Sequence, residues 1–201
     1  WAVYVGFTIV LAIAYIAAGM SLYDGVAHSF TTVSTGGFSP YNSSLGHFDS
    51  ALIEWICIVA MFIAGSSFTL LYRLIRGRPG PLFRSKEFQL YTAVVLGVAT
   101  LLFIVNDAVG SIADRIRGAL FTTLTIVSTT GYATDDFGAW SQAAQALIII
   151  LLPIGAMAGS TAGGVKMIRI LAIASYTHRE ALRHLHPRLV RPVRVGGGIM
   201  P

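Results

Sequence analysis

The chain has 201 residues, of which 55% are apolar and only 11% charged, with a formal net charge of +5. Soluble domains usually carry about 25% charged residues, so an ordinary soluble enzyme is excluded, and so is a nucleic-acid-binding domain, which would interleave basic and aromatic residues on a soluble surface. The single cysteine, Cys57, leaves no disulfide or zinc framework and lies within an apolar run, as a small buried residue would.

Residues 1–20 are apolar and predict a first membrane helix. They lack the basic start and small-residue cleavage site of a signal peptide. Residues 21–33 are too short to cross a bilayer and run into the string STGGFS; 42–49 form a polar loop. Residues 51–74 predict a returning helix. RLIRGRPGPLFRSK at 73–86 is a basic turn punctuated by Gly and Pro. Residues 88–105 cross again, 111–127 form another short segment, STTGYAT follows, and the chain returns from about Ala139 with an apolar run over 142–157. A spanning helix needs roughly 20 apolar residues. Three of the four long runs meet that outright, and the fourth does if it continues through the glycine-rich stretch beyond it.

Charge sets the orientation. Arg73, Arg76, Arg78, Arg84 and Lys86 crowd one connection, and Arg169, Arg179, Arg183, Arg188, Arg191 and Arg194 follow the last long run. Basic residues stay in the cytoplasm, so these segments are expected inside. Asp24, Asp49, Glu54, Asp107, Asp114, Asp135 and Asp136 flank the opposite ends. Asp24, Asp49, Asp135 and Asp136 could raise the local cation concentration at an outer mouth or be plain solvated loop charges.

The unit helix, short re-entrant helix, Gly-bearing loop, helix therefore occurs twice, and TTVSTGGFSP at 31–40 matches TIVSTTGYAT at 125–134 at an offset of 94 residues. Ala64-Gly65-Ser66-Ser67 falls opposite Ala158-Gly159-Ser160-Thr161 at the same offset. Repeats of this kind build transport sites at a pseudo-symmetry axis. Extended backbone is tolerated in hydrocarbon only where it is buried in protein or lines a water-filled cavity, so two such loops imply a pore or binding site. Ser34, Thr35, Ser128 and Thr129 can line a polar path. Gly37 and Gly131 permit backbone angles that let successive carbonyls face one way, and Phe38 and Tyr132 can wedge the loops against neighbouring helices. Rings of carbonyl oxygens replace the hydration shell of potassium, aided by the negative C-terminal ends of the short helices. The absence of a carboxylate from the strings suits a monovalent ion better than calcium. The bland alternative is a pair of Ser/Thr-rich turns capping helices.

Pro153 and GAMAGSTAGG should break the second returning helix after about 24 Å of descent. The equivalent FIAGSSFTLLYR at 62–73 keeps its apolar bulk and should stay more helical. Close packing of small residues between membrane helices is the alternative account of that stretch.

Taken together, these strings and GAMAGSTAGGVKMIRI at 155–170 resemble the Trk/Ktr/HKT superfamily of potassium transporters, nearest to the membrane subunit of bacterial Trk systems, over essentially the whole chain. The resemblance implies an all-α membrane protein, in the bacterial cytoplasmic (inner) membrane, built from tandem repeats, four to a pore, of which residues 1–76 and 88–176 look like the second and third. The connectors are 77–87 and 177–201. It implies a selectivity filter at 34–39 and 128–134, with potassium held by the backbone carbonyls of Ser34, Thr35, Gly36, Gly37 and Phe38 and of Ser128, Thr129, Thr130, Gly131 and Tyr132. It also implies an intramembrane gating loop at 155–166, with Gly159, Ser160, Thr161, Ala162, Gly163 and Gly164 as the moving part and Lys166 at its inner edge. Potassium is then substrate, and no covalent cofactor is expected. The expected partners are the bilayer, the two remaining repeats of a longer chain, a second copy in a homodimer, and a cytosolic nucleotide-binding regulatory subunit docking on the basic inner surface. Two repeats cannot enclose an ion, so a fragment of a longer chain is favoured over association of two copies.

Other readings fare worse. GSTAGGVK lacks the Gly-Lys-Ser/Thr order of a phosphate-binding loop. His184 and His186 in the basic tail have no carboxylate or thiol cluster with them, and a solvated connector near anionic lipid fits better. An intramembrane enzyme would need a Ser–His or Asp–Asp pair at one depth. His28 lies near Ser29 without an orienting carboxylate and is expected to cap or pack its helix. A non-conducting structural or docking module is the remaining alternative.

Overall fold

A computed structural model describes residues 1–106, 111–185, 193–195 and 198–200, so Asp107, His186, Arg188 and Arg191 lie outside the described residues. Helix α1 (Ala2–Ala17) ends where Gly19 takes a φ of 109°, a conformation other residues avoid. Helix α2 (Leu22–Val33) begins at Ser21, whose hydroxyl accepts the Asp24 N–H at 3.1 Å and donates to the Asp24 carboxylate at 2.7 Å. Helix α7 (Ile112–Val127) opens on the same device: Ser111 and Asp114 form a reciprocal capping box, which satisfies two amide groups that a helix start leaves without partners. Both short helices thus start on Ser-x-x-Asp. The two starts are 90 residues apart and the two loops 94, so α7 carries one extra turn.

The long segments behave less uniformly than hydropathy predicts. Among the described residues, helix α6 (Lys86–Val105) is the one single helix long and apolar enough to cross a membrane. The predicted helix over 51–74 is instead α3 (Ala51–Ala64) and α4 (Phe68–Ile75), bent by 103°. The break falls on Gly65-Ser66-Ser67 because a second backbone meets it there. Met157 N–H donates to Gly65 O at 3.1 Å, and Phe68 N–H donates to Gly159 O at 3.0 Å. The two quartets that match at the 94-residue offset therefore repair each other's broken ladders, as buried backbone requires. Helix α8 (Gln142–Leu151) ends before Pro153, and helix resumes only at α9 (Met167–Leu185). The stretch 62–73 is thus broken, yet it remains more helical than its counterpart.

The basic connector contains one helical turn, α5 (Gly80–Phe83). Helix α9 runs past residue 176, so the expected tail begins inside a helix, and two three-residue strands, β1 (Val193–Val195) and β2 (Gly198–Met200), pair antiparallel beyond it. Helix α1 packs on α2 and α6 on α7, as equivalent pairs, and α3 packs across the repeats on α7. One core joins both units, with Tyr15, Val33, Met61, Phe121, Tyr132 and Met157 all buried in it. Cys57 is among them, as its apolar surroundings predict. The long apolar sides that remain exposed, such as Val5, Ile9, Val10 and Ile13 on α1, are what a bilayer or further helices would cover.

Candidate functional site

The two repeated strings follow the C-terminal ends of α2 and α7 and lie against each other. Their backbones alternate in the same way. Thr35 and Gly37 have φ of 54° and 64°, and Thr129 and Gly131 have 56° and 86°. A β-branched residue at positive φ is a genuine outlier costing on the order of 1–2 kcal/mol, and here it occurs twice at equivalent positions. Such strain persists only where surrounding bonds hold it, typically at functional sites. Gly36 and Gly37 N–H both donate to Thr31 O (2.8 and 3.2 Å), Gly131 N–H donates to Thr125 O (3.1 Å), and the Thr125 hydroxyl donates to Tyr132 O at 2.9 Å. The amide hydrogens thus turn back onto the helices. Among the described residues, the carbonyls of Thr35, Gly36 and Gly37 and of Ser128, Thr129, Thr130 and Gly131 accept no hydrogen bond. Two short rows of unengaged oxygens result.

The aromatic residues part company. Tyr132 is 1% exposed, and its hydroxyl reaches into α2, 2.6 Å from Thr31 Oγ1, 3.1 Å from Thr32 Oγ1 and 3.2 Å from His28 O. Tyr15 of α1 adds a further bond to Thr32 at 3.1 Å. Tyr132 is the expected wedge. Phe38 is 77% exposed and wedges against nothing among the described residues. The Thr31–Thr32 pair was missed in the sequence, although a Thr-Thr pair one turn before Ser34-Thr35 could have drawn notice.

His28 Nδ1 lies 2.8 Å from Asp24 O, and Nε2 lies 3.1 Å from Ser39 Oγ. A carbonyl only accepts, so Nδ1 carries the hydrogen and Nε2 accepts from Ser39. Its serine neighbour is Ser39 rather than Ser29, whose hydroxyl turns back to Val26 O. A backbone carbonyl, not a carboxylate, orients the ring. His28 therefore packs and ties its helix to the first loop. Asp24 corrects another expectation: it is buried, caps α2 and accepts the Tyr41 hydroxyl at 3.1 Å, so it is not a solvated loop charge.

Asp49, Asp135 and Asp136 do line a polar pocket of about 580 Å³, together with Glu54, Asp114 and Arg117. Arg117 bridges α7 to Glu54 of α3 at 2.7 Å and to Asp114 at 2.8 Å. The Ser111 hydroxyl and the Arg117 guanidinium hold the Asp114 carboxyl below its ordinary range, so the capping contribution persists at neutral pH and is lost as pH falls through that lowered value. Glu54 and Arg117 are mostly buried, and removing Arg117 leaves Glu54 without its cation. Arg117→Met is expected to destabilise the protein by about 2 kcal/mol, read as a lower melting temperature in detergent. Adding Glu54→Gln should restore most of the loss. A double variant no better than the single would show that the pair is not what matters.

Beneath the repeated loops, the glycine-rich stretch forms a loop whose two ends, 153–156 and 165–167, run parallel to each other. Gly155 N–H donates to Val165 O (2.9 Å), Val165 N–H to Pro153 O (3.0 Å) and Met167 N–H to Ala156 O (3.1 Å). Its tip touches both strings. The Thr161 hydroxyl donates to Val33 O at 2.9 Å, and Gly163 N–H donates to Thr129 Oγ1 at 2.6 Å. Gly159 and Gly164 take positive φ, and Lys166 Nζ folds back onto Ala162 O and Ser160 Oγ. Gly159, Ser160, Thr161, Ala162, Gly163, Gly164 and Lys166 thus all lie in this tip or at the start of the segment that follows it.

The sequence profile of the family described as "TrkH: Cation transport protein" matches residues 1–200. The chain belongs to that family. Among the TrkH proteins it resembles are the Trk system potassium uptake protein TrkH of Vibrio parahaemolyticus, 35% identical over all of this chain and 43% of the relative, and that of Escherichia coli K12, 33% identical over all of this chain and 42% of the relative. The crystal structure of the potassium transporter TrkH from Vibrio parahaemolyticus superposes with a TM-score of 0.93 at 34% identity, over all of this chain and 44% of that one. The all-helical membrane transporter fold expected of the chain is therefore that of the TrkH family. The chain spans under half the length of the TrkH relatives it matches.

Proposed function

We propose that the chain supplies two of four walls around one pore that carries potassium into a bacterial cell across the cytoplasmic membrane. Residues 1–76 and 88–176 act as the second and third repeats, joined by connectors 77–87 and 177–201. Backbone oxygens of Ser34–Phe38 and Ser128–Tyr132 replace part of the ion's hydration shell, and residues 155–166 gate the path below them. The observation that carries this reading is the pair of matched loops whose amides turn back onto helices while their carbonyls, other than those of Ser34 and Tyr132, stay unengaged among the described residues. The arrangement presents oxygen without a carboxylate, as a monovalent cation requires. The curated relatives' names as potassium uptake proteins support the choice of ion. A homodimer and a cytosolic nucleotide-binding subunit on the basic inner face complete the proposed assembly. In it, Phe38 would face a neighbouring wall outside this chain.

The test is rubidium uptake into proteoliposomes by the full-length protein containing this chain, wild type beside Gly131→Ser, with sodium as competitor. A Cβ at Gly131 meets nothing within 4 Å, so the substitution perturbs chiefly a backbone held at φ 86°. Loss of uptake, or entry of sodium, is the expected result. Unchanged uptake and preference would sink the carbonyl-filter reading. No uptake by the wild type would leave the structural or docking module as the surviving reading.

A further inference from the structure

Glu87 is the acid that ends the basic connector, in the string RSKE, and it lies in the first turn of α6. Its side chain ignores the cations around it: among the described residues no Lys or Arg forms an ion pair with it. Instead Oε1 accepts the Ala158 N–H at 2.6 Å and the Ile168 N–H at 3.2 Å. Ala158 lies just past the first of the two paired segments, 153–156. Ile168 is in the first turn of α9, where amides have no partner inside their own helix. One carboxylate oxygen therefore clasps the loop close to both of its ends. Those ends are already paired in parallel with each other, so the loop is held as a unit, with Oε1 of Glu87 clipping it to α6.

We infer that Glu87 is a positioning residue that latches the glycine-rich loop under the two carbonyl loops and links it to the connector at 73–86. The inference rests on the gating role proposed above. Hydrogen bonds to an ionised carboxylate are the strong ones, and both of these run to backbone, so they fix the path of the loop rather than a side chain. The start of α6 is also the end of the connector. A displacement of the connector pulls on Ala158 and Ile168 without passing through the apolar core. The basic face outside and the glycine-rich loop inside are thereby joined through one residue.

The test uses the full-length protein in proteoliposomes, with Glu87→Ala, Glu87→Gln and, as a loop control, Gly155→Ala. Glu87→Ala should raise rubidium uptake about tenfold, the shift that one charge-assisted hydrogen bond can hold, with rubidium-over-sodium preference unchanged. Glu87→Gln keeps an acceptor oxygen at the same reach but loses the charge that strengthens both bonds, and should raise uptake only about threefold. A folding defect would lower uptake instead of raising it. Hydrogen exchange over 155–168 reads the latch independently of flux. It should quicken about tenfold in Glu87→Ala and stay unchanged in α1. Unchanged exchange over 155–168, or uptake not raised in Glu87→Ala while Gly155→Ala leaks, overturns the latch and leaves the gate standing. Glu87→Gln leaking as much as Glu87→Ala also overturns it, since charge alone would then matter. If no variant raises uptake, the gating role itself fails.

Discussion

Gly37→Ala is expected to abolish rubidium uptake by the full-length protein while leaving it folded enough to be purified. A Cβ at that position would lie 1.8 Å from Thr130 O and 2.7 Å from the Thr130 carbonyl carbon, so the obstacle is backbone and cannot rotate aside. The residue also sits at φ 64°, which costs an L side chain about 1–2 kcal/mol by itself. Relief requires one carbonyl row to retreat from the other. Displacements of about 1 Å cost roughly 100-fold in other positioned sites, and an ion held by oxygen spacing should be as demanding. Initial rates of rubidium uptake per milligram of reconstituted protein would measure it. Uptake within a few-fold of wild type would mean the two loops do not jointly contact the ion. Gly131→Ser should do less harm to folding, because no neighbouring atom in the chain opposes it.

Gly155→Ala should act in the opposite direction. A Cβ there would lie 2.1 Å from Gly163 O, backbone against backbone within the glycine-rich loop. The paired segments cannot close over it, and the tip would lose its bonds to Val33 O and Thr129 Oγ1. Basal rubidium uptake is expected to rise about tenfold or more, as a closed population held by two or three hydrogen bonds is released. Ion preference should hold, since the carbonyl rows are untouched. Uptake equal to or below wild type, in protein with a normal melting temperature, would count against the loop as an obstruction.

The repeat, the short helices and the two loops were legible in the sequence because Ser-Thr-x-Gly-aromatic at a fixed offset encodes backbone geometry directly: the same φ signs recur at 35 and 129 and at 37 and 131. The break after Pro153 was legible for the same reason, since proline and clustered glycines act locally. The break at Gly65–Ser67 was not. Its cause is a partner, the stretch at 157–159, brought alongside by the fold, and hydropathy registers only that Phe68, Leu70 and Leu71 are apolar. Phe38 and Tyr132 look equivalent in the strings and differ because only Tyr132 has a helix from the other repeat beside it. Asp24 looked like a loop charge, but its spacing from Ser21 marks it as a cap, as Asp114's spacing from Ser111 does. Glu87 was silent in a run of arginines, because what distinguishes it is the pair of amides seventy and more residues away.

The additional turn of α7 has a bearing on how a cation would arrive. Four more residues raise the start of that helix by about 6 Å relative to α2, while the two loops at the other end stay level with each other. Under the pore reading the rim is lopsided, with the Glu54–Arg117–Asp114 triad standing on its high side. With two carboxylates against one guanidinium the triad keeps a net negative charge, and it shares its pocket with Asp49, Asp135 and Asp136. The negative potential offered to an arriving cation is therefore gathered on one flank of the rim, off the axis on which the carbonyls are arrayed.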